Sequence, residues 1–295
     1  MTDRPTRSRA ATEEKTGSRR DRTPPPAPEP LPHPVADNHC HLDIADGDDW
    51  FGTEEAIAAA AQVGVTRIVQ VGCDLPGARW AVEAAGRYDA LVAAVALHPN
   101  EAPRLAAAGE LDTAIAEIAE LARDPRVRAV GETGLDHYRT GAEGRDAQVE
   151  SFRRHIDLAK RLDKVLMIHD RDAHDEVLRV IDEEGAPERW VMHCFSGDAD
   201  VARACLDRGA HLSFAGTVTF KNADPLRAAL RVTPADRVLV ETDAPFLTPT
   251  PYRGRPNASY LVPLTMRAMA QVRGDDLAGL CAAVDANTSA LYGPW

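Results

Sequence analysis

The sequence predicts an α/β protein with a TIM-like (β/α)8 barrel, formed as a single domain over residues 35–295. From Val35 onward, short apolar runs alternate with longer segments of helical period, which is typical of repeated strand–helix units. The units also recur evenly. His41 and Asp243 lie 202 residues apart and enclose seven units of about 29 residues, close to the roughly 30 residues of a strand, a helix and two loops.

Eight strands are predicted, the first being a short strand just before His39. The other seven are Val65–Val71, Leu91–Leu97, Val127–Val130, Val165–Ile168, Trp190–Met192, His211–Phe214 and Val238–Val240. The predicted helices are Glu54–Gln62, Ala78–Arg87, Leu111–Arg123, Asp146–Leu162, Ala173–Glu183, Asp200–Asp207 and Pro225–Arg231. An open doubly wound sheet is the main structural rival, but the chain has neither the G-x-G-x-x-G turn nor the P-loop of its nucleotide-binding versions.

Residues 1–34 differ in composition from the rest of the chain. They combine scattered charges with a proline cluster from Pro24 to Pro34 and hold few large apolar residues before Leu31. Such a segment cannot bury enough apolar surface to offset its ordering entropy, so we expect it to be disordered. A solvated extension is the favoured interpretation, and a basic tail that helps to hold an anionic partner is the alternative.

Charge and cysteine content limit the function classes. The net charge of -12 is not that of a protein that binds nucleic acid through a basic patch. It leaves phosphate-bearing substrates open, since bound divalent cations can reverse the local charge of a site. No run approaches the roughly 18 apolar residues of a membrane span. The five cysteines are scattered without a C-x-x-C pair, which favours reduced thiols and a cytoplasmic location.

His39 and His41 lie two residues apart on one short extended segment. Side chains alternate across a strand, so both imidazoles can reach one ion. H-x-H alone is a weak signal. However, metal-competent residues also follow five other predicted strands: His98, Glu132, His169, His193 and Asp243. In a barrel those strand ends converge on one mouth, where active sites are found.

The residue types predict a divalent metal centre. Histidine combined with carboxylate suits zinc, manganese, iron or nickel, whereas carboxylates alone would indicate magnesium or calcium. Six candidate ligands exceed the needs of one tetrahedral zinc, and two ions that share a carboxylate would use all six: His39, His41, Glu132, His169, His193 and Asp243. We therefore expect two divalent ions, with the identity left open among Zn, Mn, Mg and Ni.

These residues stand within motifs that resemble the TatD family of metal-dependent deoxyribonucleases, in the amidohydrolase-like superfamily. The resemblance runs from about Val35 to Tyr292 and is carried by Asp37–Asp43 (DNHCHLD), Leu97–Pro99 (LHP), Gly131–Asp136 (GETGLD), Ile168–Ala173 (IHDRDA), His193–Gly197 (HCFSG), Thr219–Ala223 (TFKNA), Glu241–Leu247 (ETDAPFL) and Arg253–Asn257 (RGRPN). Two departures are Asn257-Ala258-Ser259, where the family commonly has Asn-Glu-Pro, and Asn38, where Thr or Ser is commoner.

The resemblance implies that one ion is held by His39, His41 and Asp243, the other by His169 and His193, and that Glu132 bridges them. It implies a 3'-5' exodeoxyribonuclease that cleaves phosphodiester bonds at DNA or RNA ends. Asp243 would accept the proton of the attacking water.

We expect four further side chains to bind phosphate: His98, Arg171, Lys221 and Arg255. The sequence does not distinguish Arg253 from Arg255 in this role. Cys194 adjoins His193 without an evident base, so it is interpreted as a packing residue.

Two other functions stay open. Similar barrels cleave esters or amides, including the aminoacyl ester of a D-aminoacyl-tRNA. A non-catalytic barrel that binds metal or nucleic acid is less favoured, because all six ligand positions are intact. We expect nucleic-acid ends as the partner, no membrane association and no stable protein partner.

Overall fold

Eight parallel strands form the predicted barrel in a computed structural model that describes residues 4–10, 12, 17–46 and 50–295. In these residues the strands are β1 Arg7–Arg9, β2 Val35–Cys40, β3 Ile44–Asp46, β4 Val65–Gly72, β5 Leu91–Val95, β6 Val127–Asp136, β7 Val165–Arg171, β8 Trp190–Met192, β9 His211–Phe214 and β10 Val238–Val240. The barrel consists of β2 and β4 to β10, in chain order. All eight predicted strands are therefore confirmed.

The helices are α1 Thr53–Gln62, α2 Leu75–Arg87, α3 Ala102–Ala108, α4 Leu111–Leu121, α5 Ala142–Leu162, α6 His174–Glu184, α7 Ala199–Leu206, α8 Asp224–Val232, α9 Val262–Arg273 and α10 Leu277–Tyr292. All seven predicted helices are present, most of them longer at one end. In the described part of the chain, no helix is long and apolar enough to cross a bilayer.

The barrel closes between its first and last strands. Cys40 forms a parallel bridge with Ala244, whose carbonyl accepts a hydrogen bond of 2.8 Å from the amide of His41. The amide of Asp243 donates to the carbonyl of His39 over 2.9 Å. Closure therefore brings two predicted metal ligands from opposite ends of the sheet into direct backbone contact.

Buried side chains form two layers, because successive strand residues point to opposite faces. Val69, Val71, Val92 and Ala94 belong to the cluster inside the barrel, and their neighbours along the same strands pack against the helices. Leu291 and Tyr292 at the end of α10 join the inner cluster. The strands thus lie in apolar surroundings on both faces, which explains their continuous apolar runs.

The N-terminal segment contacts the barrel wherever the structure describes it. The residues 4–10, 12 and 17–34, here called the N-terminal strap, pack along the barrel: β1 pairs in parallel with β3, and Leu31 donates its amide to the carbonyl of Val63 over 3.0 Å. Arg20 forms a buried ion pair with Asp46, and the Tyr260 hydroxyl donates to the carbonyl of Pro25 over 2.6 Å. These contacts are polar, so apolar content did not predict them. Residues 1–3, 11 and 13–16 lie outside the described residues.

Candidate metal centre

All six predicted ligands meet at the carboxyl end of the barrel. His39 lies on β2, Glu132 on β6 and His169 on β7, while His193 directly follows β8. Asp243 follows β10 in the segment that closes the barrel. The strand ends therefore bring residues that are up to 204 positions apart in sequence into one cluster.

Glu132 stands at the centre of this cluster, with one carboxylate oxygen directed to each side. Its Oε1 lies 3.8 Å from Nε2 of His39 and 3.6 Å from Nε2 of His41. Its Oε2 lies 2.8 Å from Nε2 of His193 and 3.1 Å from Nδ1 of His169. We call His39, His41 and Asp243 the His39 side, and His169 and His193 the His193 side.

Outer contacts orient the imidazoles towards Glu132. Nδ1 of His41 lies 2.9 Å from the carbonyl oxygen of Val71, and Nδ1 of His193 lies 3.3 Å from Oε1 of Glu241. Each contact engages one ring nitrogen and leaves Nε2 to face the centre. A histidine that binds metal typically donates its other nitrogen to a carbonyl or carboxylate in this way.

Asp243 completes the His39 side. Its Oδ1 lies 3.6 Å from Nε2 of His39 and 3.4 Å from Nε2 of His41. The backbone φ of Asp243 is 54°, in the left-handed region that a non-glycine residue adopts at a cost. That conformation is held by the hydrogen bond to His39, and the carboxylate remains 16% exposed at the mouth.

The donor atoms suit a divalent ion. Three groups each place their ligand atoms within 4.8 Å of one another: His39, His193 and Asp243; His39, His41 and Glu132; and His98, Glu132 and His169. The Nε2 atoms of His39 and His41 lie only 3.1 Å apart, so a proton or a cation is needed between them. These histidine and carboxylate donors can therefore hold a metal ion.

The buried ionisable groups of this cluster shift one another's pKa values. Burial disfavours ionisation of Glu132, but His193, His98 and hydrogen bonds from His169 and His193 hold its pKa well below the usual range. Burial also opposes protonation of His193, yet Glu132 and Glu241 raise its pKa to about 10. Burial and the neighbouring His193 keep the pKa of His39 well below its usual value. The Glu132 carboxylate is thus anionic, and protonation of His193 disfavours protonation of His39.

The four predicted phosphate-binding residues lie at different depths. His98 reaches the cluster, with Nε2 3.9 Å from Oε2 of Glu132. Arg171, at the end of β7, lies with its guanidinium carbon 3.9 Å from the ring centroid of Tyr138. Lys221 is exposed after β9, and Nε of Arg255 forms a 2.8 Å ion pair with Asp21 of the strap. The fold thus brings His98 into the cluster, whereas Arg255 pairs with Asp21 outside it.

Three side chains beside the cluster were not among the predicted site residues. Sγ of Cys73 lies 3.0 Å from Oε1 of Glu132, Oδ2 of Asp136 lies 3.5 Å from Nε2 of His169, and Glu241 contacts His193. Asp136 and Glu241 do occur in the GETGLD and ETDAPFL motifs, which was the available signal. Burial raises the pKa of the Cys194 thiol, which suits the packing interpretation of that residue.

A barrel with histidine and carboxylate side chains gathered at its mouth is the arrangement of a metal-dependent hydrolase. Residues 36–293 match the model of the TatD related DNase family. The chain therefore belongs to this family and is a metal-dependent hydrolase.

Several relatives resemble the chain over most of its length. The uncharacterized metal-dependent hydrolase TatD of Mycobacterium tuberculosis is 46% identical over 81% of this chain and 90% of its own. A protein of Cronobacter sakazakii named 3'-5' ssDNA/RNA exonuclease TatD is 35% identical over 85% of this chain and 95% of its own. The crystal structure of YjjV, a TatD homologue of Escherichia coli K12, has a TM-score of 0.78 at 27% identity and covers 88% of this chain and 97% of its own.

Proposed function

We propose that the protein is a two-metal phosphodiesterase that removes nucleotides from the 3' ends of DNA or RNA. The family and the name of the Cronobacter sakazakii relative support the nucleic-acid substrate and the direction. The central support is the position of Glu132, because each of its oxygens faces a different set of histidines. That arrangement suits a carboxylate shared between two ions.

In this proposal His39, His41 and Asp243 would hold one ion, His169 and His193 would hold the other, and Glu132 would contribute to both. Two divalent ions, when bound, lower the pKa of water and offset the charge that develops on the phosphoryl oxygens. The chain must then supply a proton acceptor and orient the phosphate. Asp243 fits the acceptor role, because its carboxylate is partly exposed at the mouth while the histidines of its side are buried.

Phosphate binding is assigned to His98, Arg171, Lys221 and Arg255, in order of decreasing support from their positions. His98 already reaches the cluster. Arg171 combines a cation with the exposed ring of Tyr138, a pairing that suits a phosphate and the base next to it. Arg255 must exchange Asp21 for substrate, and Lys221 must approach from the exposed loop after β9.

The proposal is tested with single-stranded DNA and RNA labelled at either end. The protein is loaded in turn with Zn²⁺, Mn²⁺, Mg²⁺ and Ni²⁺, and the products are resolved at single-nucleotide length. A 5'-labelled strand should shorten stepwise, and the Glu132→Gln variant should leave it intact. Release of nucleotides from neither substrate, or hydrolysis of a D-aminoacyl-tRNA ester alone, would overturn the proposal.

A further inference from the structure

The N-terminal strap lies at the mouth of the barrel although it precedes the family match, which begins at residue 36. Its strand β1 pairs with β3, which begins three residues after His41. Thr6 fixes this placement, because its amide donates to the carbonyl of Asp43 over 2.7 Å and its hydroxyl donates to Oδ2 of Asp43 over 2.6 Å. The strap is thus attached to the loop that follows the first two ligands.

The rim beneath the strap is acidic. Asp43 and Asp46 follow His41, and Asp74 follows β4 as the residue that caps the start of α2. Asp43 and Asp46 are 2% and 7% exposed, so their charges are poorly screened by water. Three carboxylates at the entrance would repel a polyanion and lower its local concentration.

Arginines of the strap lie against these carboxylates. Arg20 pairs with Asp46 through two hydrogen bonds, and Nη1 of Arg9 lies 3.7 Å from Oδ2 of Asp46. Nη1 of Arg7 lies 3.9 Å from Oδ2 of Asp74, and Arg7 also adjoins Asp43. Three arginines of the strap therefore face the three carboxylates of the rim: Arg9 and Arg20 face Asp46, and Arg7 faces Asp43 and Asp74.

The same arginines approach the metal centre. Burial opposes the charge of Arg7, but Cys73, Asp43 and Asp74 raise its pKa, and Sγ of Cys73 lies 3.0 Å from Oε1 of Glu132. Arg9 donates to the carbonyl of Pro245 over 2.6 Å and lies 5.4 Å from the ring centroid of Phe246. Arg7 and Arg9 therefore lie beside residues that contact two of the candidate ligands, Glu132 and Asp243.

We propose that the N-terminal strap forms one wall of the substrate entrance and neutralises its acidic rim, so that the phosphates next to the scissile one can lie across it. The inference rests on the proposed function for the identity of the strand as nucleic acid. It assigns a substrate-binding role to Arg7, Arg9 and Arg20 of the strap, whereas a purely structural clamp would only hold the loop after His41 in place. The two roles predict different binding when a rim carboxylate is removed. If the strap neutralises the rim, removing the carboxylate restores the binding that was lost with the arginine; if the strap only clamps the loop, it does not.

The experiment measures binding of a fluorescent single-stranded oligonucleotide with phosphorothioate linkages, which resist hydrolysis, to the full metal-loaded chain. Arg7→Gln should weaken binding about three- to tenfold at low salt. The difference should fade at about 0.5 M salt, because the added ions screen the rim. Arg19→Gln is the matched control: Arg19 is an exposed residue of the same strap, and the substitution should change the dissociation constant less than about twofold.

The double variant that combines Arg7→Gln with Asp74→Asn is the decisive test of the proposal. The Asp74 side chain accepts from the amide of Gly77 over 2.7 Å, and asparagine can keep that cap. Adding Asp74→Asn to Arg7→Gln should restore binding to within about twofold of the original. Failure of this rescue, or equal losses in the Arg7 and Arg19 variants, would overturn the proposal. Because binding is measured without cleavage, a chain that binds the strand but hydrolyses no nucleic acid would refute the nuclease function alone.

Discussion

The two sides of Glu132 are built differently. On the His39 side, His39 and His41 are 0% and 4% exposed and come from a single strand end that the strap and the closing segment cover. On the His193 side, the His169 side chain is 17% exposed and adjoins the equally exposed His98. The comparison indicates that the buried imidazoles of His39 and His41 are suited to retain an ion, whereas His98, His169 and Asp243, each partly exposed, present the open part of the centre to the phosphate.

The largest expected effect comes from the residue that both sides share. Glu132→Gln should remove a ligand from both ions, so metal content should fall on both sides and kcat/KM for oligonucleotide hydrolysis should drop by about 10³ or more. Elemental analysis and rate measurements check this. Glu150→Gln, an exposed residue on α5, is the matched control. A variant that keeps two ions and a tenth of the activity would contradict a central role for Glu132.

Asp243→Asn should affect the His39 side alone. Asparagine keeps an oxygen near His39 and His41 but cannot take a proton, so kcat should fall by about 10² to 10⁴ with a much smaller change in KM. Steady-state kinetics on a labelled strand provide the measurement. A loss of less than about tenfold in kcat would remove Asp243 from the acceptor role.

Glu241→Gln should act on the His193 side alone. Oε1 of Glu241 lies 3.3 Å from Nδ1 of His193 and accepts from the amide of Cys194 over 2.8 Å. Loss of its charge should weaken one of the two ions by about 10- to 100-fold, because such outer partners tune ligand basicity. Titration against a chelator gives both affinities. Equal weakening of both ions would show that the two sides are not independent.

The smallest expected effect concerns the scaffold behind His98. His155 on α5 is buried, and its Nε2 accepts from the amide of Leu97 over 3.2 Å. Burial lowers its pKa from 6.5 to about 4, so the unfolded chain takes up a proton first as pH falls. The stability that neutral His155 provides is full above about pH 6.5 and is lost as pH falls through about 4.

Denaturant unfolding tests this pH dependence. Between pH 7 and pH 5 the free energy of unfolding should drop by about 2 kcal/mol through His155. The His155→Gln variant should lack that part of the decline. Equal declines in the two proteins would show that His155 titrates normally in the folded state.

The candidate ligands on the His39 side and the His193 side could be predicted from the sequence because both sets depend on local patterns. Buried parallel strands are continuous apolar runs, and each candidate ligand after His41 follows such a run within three residues, as Glu132 and His193 do. The His39 and His41 pair follows from the two-residue period of a strand. These signals are present within a few residues of sequence.

The remaining features depend on contacts between distant segments. The order of the strap comes from ion pairs such as Arg20 with Asp46, which composition cannot reveal in a segment with few large apolar residues. Cys73 reaches Glu132 only because β4 and β6 lie near each other in the barrel. Arg255 was expected to bind phosphate, and its partner Asp21 belongs to a segment that was expected to be disordered.

The most direct test of the central claim is anomalous diffraction from crystals of the manganese-loaded protein. We predict two anomalous peaks about 3.5–4 Å apart, one on each side of the Glu132 carboxylate. The first should contact His39, His41 and Asp243, and the second His169 and His193. A single peak, or two peaks that Glu132 does not contact, would contradict the account.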